Sequence, residues 1–171
     1  MPSITGSPIR IEFRPELTSW RGELLSGDPR GEPIHATTFL RKRLIVLDSE
    51  LAHDWPELSR ILVHELFHFV WVRLGNPMRR SYENLICVEL QARVRGELGW
   101  SAEWRKKALS AEDIAKRNRK WREYVAESFC DTAAYLYSEC DEHDEYTLKG
   151  RRRKMRAAWF KSAFQQGGIS I

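Results

Sequence analysis

The 171-residue chain has little cysteine: Cys87, Cys130 and Cys140 are odd in number and show no CxxC spacing. That set is too sparse for a disulfide framework or a thiolate metal site and fits reduced thiols. Long apolar runs are missing too. The most apolar stretch, Ile61 to Leu74, is broken by His64, Glu65, His68 and Arg73, short of the ~20 uninterrupted residues a membrane helix needs. The opening MPSITGSPIRIEF has no basic head followed by an apolar segment, so no secretory signal is read there, and a cytoplasmic protein with no membrane partner is expected. Excess charge is small: 28 Lys and Arg against 24 Asp and Glu give +4, too little for a dedicated nucleic-acid module. Internal repeats and low-complexity segments are absent.

What is present is apolar bulk. Hydrophobic residues make up 42% of the chain, with 7 Trp and 7 Phe, enough for a core at the usual domain size of roughly 100 to 200 residues. One domain over 1–171 is expected, mainly β over 1–53 and mainly α over 54–171. In the first part, Ile9 to Phe13 alternates apolar and charged residues, Ile34 to Leu40 is rich in Thr, and Arg43 to Leu47 is a β-branched apolar run. The last two are close enough to pair as a hairpin. The stretch SGDPRGEP between the first two reads as a loop.

From Asp54 the signals become helical. Asp54 and Glu57 have capping-box spacing, Pro56 sits in a first turn, and Gly75 and Pro77 supply a stop. Further helices are expected over Ser81 to Leu98, after caps at Ser101 and Ser110 (the latter opening a long helix to about Ser138), and over Arg151 to Phe164, before a terminus loosened by Gly167 and Gly168. The fold class is therefore α+β, a small N-terminal sheet followed by several helices. Basic runs at Arg41 to Arg43, Arg105 to Lys107, Lys116 to Arg122 and Lys149 to Arg156 read as solvated helix faces.

The first strong helix contains His64-Glu65-Leu66-Phe67-His68, an HExxH arrangement. Residues four apart differ by about 400° in azimuth and ~6 Å in rise, so both imidazoles leave one face and can bind a single ion. Glu65 lies to one side of that pair, where it can reach a water on the ion without being a ligand. Two histidines and a carboxylate on an otherwise apolar helix need a partner, because burying them unpaired is costly.

A site of this kind needs a third protein ligand. The extended pattern HExxHxxGxxH is excluded, since Trp71 and Leu74 occupy its later positions. In WREYVAESFCDTAAYLY, Glu123, Glu127 and Asp131 follow at four-residue steps. Glu127 and Asp131 fall where that helix turns apolar. The economical reading makes Glu127 the third ligand and Asp131 the acceptor for the second N–H of a ligating histidine, with Glu123, Asp131 and Glu89 as alternative ligands. His35 and His53 are not expected to contribute.

With HELFH at His64 to His68, ESFCD at Glu127 to Asp131, and the order strand, HExxH helix, ligand helix, the chain resembles the zincin metallopeptidases, and within them the gluzincins. That resemblance spans roughly Leu44 to Tyr137. It implies a zincin-like fold, Zn2+ held by His64, His68 and Glu127, Glu65 as general base, Asp131 behind a ligand, and hydrolysis of a peptide or protein substrate. Tyr124 and His143 are weak candidates for stabilising the oxyanion; ordinary packing and a solvated loop are the simpler readings of each. An extended substrate is expected along an edge strand, taken as Arg43 to Leu47. Two other readings compete. One is a SprT-like protease of nucleic-acid-bound proteins, disfavoured because no His occurs between His68 and His143. The other is a zincin-like domain that binds metal without catalysis. Oligomeric state is not legible.

Overall fold

The computed structural model describes residues 2–164 and 168–171; Gly167, expected to loosen the terminus, lies outside them. The architecture is α+β, as composition and periodicity imply. A parallel pair joins β1 (Ile4–Thr5) to β8 (Ile169–Ser170). The central sheet has the order β2 (Arg10–Arg14), β7 (Leu44–Asp48), β6 (Ala36–Phe39), with β2 parallel and β6 antiparallel to β7. The expected β6–β7 hairpin is present. Its turn is longer than expected, a 3₁₀ turn over Leu40–Lys42 closed by Arg43 in the left-handed region at φ 48.

Between β2 and β6, where one loop was expected, the chain folds a second three-stranded sheet from β3 (Leu17–Trp20), β4 (Glu23–Ser26) and β5 (Glu32–Pro33). This sheet explains the unbroken apolar run of β7. Leu44 and Val46 pack against Leu17 and Leu24, while Ile45 and Leu47 pack against Leu58 and Phe69 of the first helix, so both faces of β7 are covered. Because β7 lies between two partners, it is not the edge strand that was expected to receive a substrate. That edge is β6.

Helix α1 (Trp55–Arg73) starts as expected: the Asp54 side chain accepts from the Glu57 amide. It runs between the sheet and α5 (Arg119–Tyr137), which is why ILVHELFHFVWV is apolar on almost every side. Phe67, Val63 and Val70 join Trp121, Val125, Phe129 and Ala133 of α5 in the main core. That core is completed by Tyr82 and Ile86 of α2 (Asn76–Gln91) and Phe160 of α6 (Gly150–Ala163).

Several helix boundaries depart from expectation. Pro77 stands in the first turn of α2, where a missing N–H costs nothing, so α2 begins before Ser81. It also ends before Leu98, at a turn with Arg93 at φ 51 and Gly96 at φ 80. Gly96 is required there, since a Cβ would sit 2.4 Å from the Thr147 carbonyl oxygen. Ser101 is no cap but lies inside α3 (Trp100–Lys107). Ser110 does form a capping box with Asp113, yet for the short α4 (Ala111–Lys116); Arg117 at φ 46 breaks the chain and Asn118 caps α5 afresh. Among the described residues, no helix is long and apolar enough to cross a membrane.

Candidate metal centre

The packing of α1 on α5 brings the two halves of the expected site together. His64 Nδ1 donates to Asp131 Oδ1 at 2.8 Å, and His64 Nε2 lies 3.4 Å from Glu127 Oε2. The His64 and His68 rings are edge-on, 5.0 Å between centroids. With Nδ1 of His64 taken by Asp131, Nε2 is the nitrogen left for an ion. Glu65 sits beside them, 9% exposed, and Thr38 of β6 donates its hydroxyl to Glu65 Oε2 at 2.5 Å. The hairpin edge therefore positions the carboxylate expected to act as base.

Glu123 does not reach the site; it pairs with Arg119 at the surface. Each four-residue step on a helix rotates about 40° further, so Glu123 lies roughly 80° away from Asp131. Glu89 is equally remote, paired with Arg156. The weak oxyanion candidates also fall away. Tyr124 is fully buried and donates to Glu97 Oε1 at 2.6 Å, and His143 Nε2 faces Glu57 Oε2 at 3.3 Å.

Three residues were missed. Cys130 Sγ lies 3.5 Å from His68 Nδ1, and one donor atom each of His64, His68 and Cys130 fall within 4.8 Å of one another. Its position between Glu127 and Asp131 was the available signal. Burial, followed by the charges of Glu127, Asp131 and Glu65, pushes its thiol far above the ordinary range. Ser101 donates to Glu127 Oε2 at 2.5 Å. Arg105, expected on a solvated face, directs its guanidinium at the site: one nitrogen donates to Ser101 O at 2.9 Å and Oγ at 2.8 Å, and another lies 3.6 Å from Glu127 Oε1.

Asp131 does two jobs. Its Oδ2 accepts from the Ala102 amide at 3.2 Å, capping the first turn of α3, while Oδ1 holds His64. Gly99 begins that turn because the carboxylate lies against its Cα; a Cβ there would meet Asp131 Oδ1 at 2.4 Å.

Electrostatically this is an anion-rich pocket. Burial disfavours charge on His64, but Asp131, Glu127 and Glu65 more than reverse it and hold the imidazole protonated well above its ordinary 6.5. Burial also opposes ionisation of Glu127, yet the His64 hydrogen bond and the charges of His68, His64 and Arg105 draw it well below its ordinary 4.5. His68 is shifted down, by burial and then by the His64 charge. Three carboxylates thus crowd two imidazoles, and the proton on His64 answers part of a demand for positive charge that a divalent cation would meet more fully. Two imidazoles and a carboxylate are a donor set of the kind that suits zinc and leaves a fourth position open; Glu127 lies beside His64 but outside the 4.8 Å grouping that joins His64, His68 and Cys130.

His64, Glu65, His68 and Glu127 line a groove of about 400 Å³ together with Ala36, Thr37 and Thr38 of β6 and Ser101 and Arg105 of α3. The edge strand forms one wall and α3 the other. Compared with protein-family models, with curated proteins and with solved structures, the chain finds no match in any of the three.

Proposed function

We propose that this chain is a zinc-dependent metallopeptidase of the gluzincin kind, in which His64, His68 and Glu127 hold the ion and Glu65 is the general base. The observation that carries this reading is the shared groove: these four side chains open onto one cleft bordered by the edge strand β6. Zinc, when bound, lowers the pKa of a coordinated water towards ~7 and polarises a carbonyl. The chain's own residues do the rest. Asp131 fixes the tautomer and orientation of His64. Thr38 holds Glu65 towards the groove; Glu65 accepts the proton of the attacking water and passes it to the leaving amine. As an edge of its sheet, β6 offers an extended peptide a strand to pair with.

One observation favours a second ligand set, in which Cys130 replaces Glu127, because its sulfur is close to His68. The first set is preferred since Cys130 is fully buried and is not among the residues lining the groove. Zinc content and peptide hydrolysis measured on purified variants test both. Glu65→Gln should retain about one zinc per chain and lose hydrolysis, while the His64→Ala, His68→Ala double variant should lose the metal. Glu127→Ala should strip zinc and Cys130→Ala should not; the reverse would establish the cysteine set. Full zinc retention by the double histidine variant would end the proposal.

A further inference from the structure

Resting on that reading, we propose that Arg105 forms an anion subsite for the free α-carboxylate of a short peptide, so that the enzyme removes residues from a C-terminus instead of cutting internal bonds. Arg105 is the one arginine or lysine among the described residues that line the groove. Its guanidinium is anchored from behind by Ser101 through one terminal nitrogen, yet its side chain remains 40% exposed. Its second terminal nitrogen has only the longer approach to Glu127, so the planar guanidinium keeps donor capacity for a carboxylate.

Charge argues the same way. Within the site, Arg105 faces Glu127 Oε1 at 3.6 Å, longer than a hydrogen-bonded ion pair, and the other oxygen of Glu127 faces His64. Sharing Glu127 with a dication would weaken its hold on Arg105 and leave the guanidinium for an incoming anion. Placement is also consistent. Arg105 lines the groove next to the proposed ligand Glu127, and a terminal carboxylate lies one residue from the scissile carbonyl. At about 400 Å³ the groove is at the small end of ligand pockets, suited to a short peptide.

The test uses matched peptides that differ only in ending as a carboxylate or a carboxamide, assayed with zinc-replete protein. The acid should be cleaved about 10- to 100-fold better in kcat/KM, as befits a charge-assisted contact, with a single C-terminal residue released. Arg105→Gln should collapse the acid-to-amide ratio towards one, mainly through KM for the acid, and Arg105→Lys should restore part of it. The same labelled peptides are titrated by fluorescence polarisation into zinc-loaded Glu65→Gln protein, which reads the subsite without turnover. Tighter binding of the acid, lost in the Glu65→Gln, Arg105→Gln pair, supports the subsite even if no peptide is hydrolysed, in which case only the peptidase reading fails. Equal binding of acid and amide, or a loss in Arg105→Gln that falls equally on both, overturns it.

Discussion

Replacing Gly99 with alanine tests the link between Asp131, α3 and the candidate metal centre. Gly99 is extended, with φ −175 and ψ 151, so an alanine suffers no backbone penalty there. The cost is steric: the new Cβ would lie 2.3 to 2.4 Å from the carboxylate atoms of Asp131. Asp131 is 2% exposed and its carboxylate is tied to both His64 and the Ala102 amide, so it cannot yield without loosening one of them. Overpacking of this kind costs about 1 to 3 kcal/mol, which for a chain of this size lowers Tm by about 2 to 12 °C. Gly150→Ala is the control. Nothing lies within 4 Å of its Cβ position and it opens α6, so it should be neutral or stabilise by up to about 1 kcal/mol. In an Asp131→Ala background the obstruction is gone and the Gly99→Ala cost should fall below about 0.5 kcal/mol, a coupling that urea denaturation of the four proteins measures. A Gly99→Ala protein melting within about 1 °C of the parent, or a cost that persists without Asp131, would refute the argument.

Asp131→Asn should weaken zinc binding by roughly 10- to 100-fold, read by competition with a chelating dye, because the tautomer of His64 is no longer enforced. Thr38→Val removes the hydrogen bond to Glu65 and should lower kcat by about 10-fold with zinc content retained; a parent-like kcat would mean that Glu65 is oriented by something else. Arg156, fully buried and 2.7 Å from both Glu89 and Glu97, should cost about 3 to 5 kcal/mol when changed to Met, since two buried carboxylates lose their partner. By contrast, Arg151→Glu with Lys154→Glu, both exposed, should stay within about 0.5 kcal/mol in urea denaturation. Burial opposes ionisation of Glu97, but Arg156 and Lys106 outweigh it and depress its pKa below the ordinary 4.5. With the folded value depressed, its contribution is complete above about 4.5 and is lost as pH falls through the lower folded value. Denaturation midpoints of the parent should therefore fall between pH 4.5 and more acid conditions, and Glu97→Gln should flatten that slope.

Short-range periodicity made the candidate site residues legible. A 3.6-residue repeat alone decides that His64 and His68 share a face and that Glu127 and Asp131 share another, and the Asp54 start of α1 follows from local capping chemistry. The unbroken apolar run Leu44 to Leu47 also carries the signal of a strand covered on both faces and not of an edge. Two breaks had weak local marks, because an arginine instead of a glycine takes the left-handed turn at Arg93 and at Arg117. The remaining features were decided by partners far away along the chain. Whether an arginine in a basic run is solvated depends on what packs over it: Arg151 meets water, Arg156 meets Glu89 and Glu97, and Arg105 meets Glu127. Likewise the third carboxylate of the helix faces the histidines while the first faces solvent only because α5 crosses α1 at one rotation about its axis. No repeat along one segment records that rotation, since it is set by how Phe67, Phe129 and Phe160 fit together in the core.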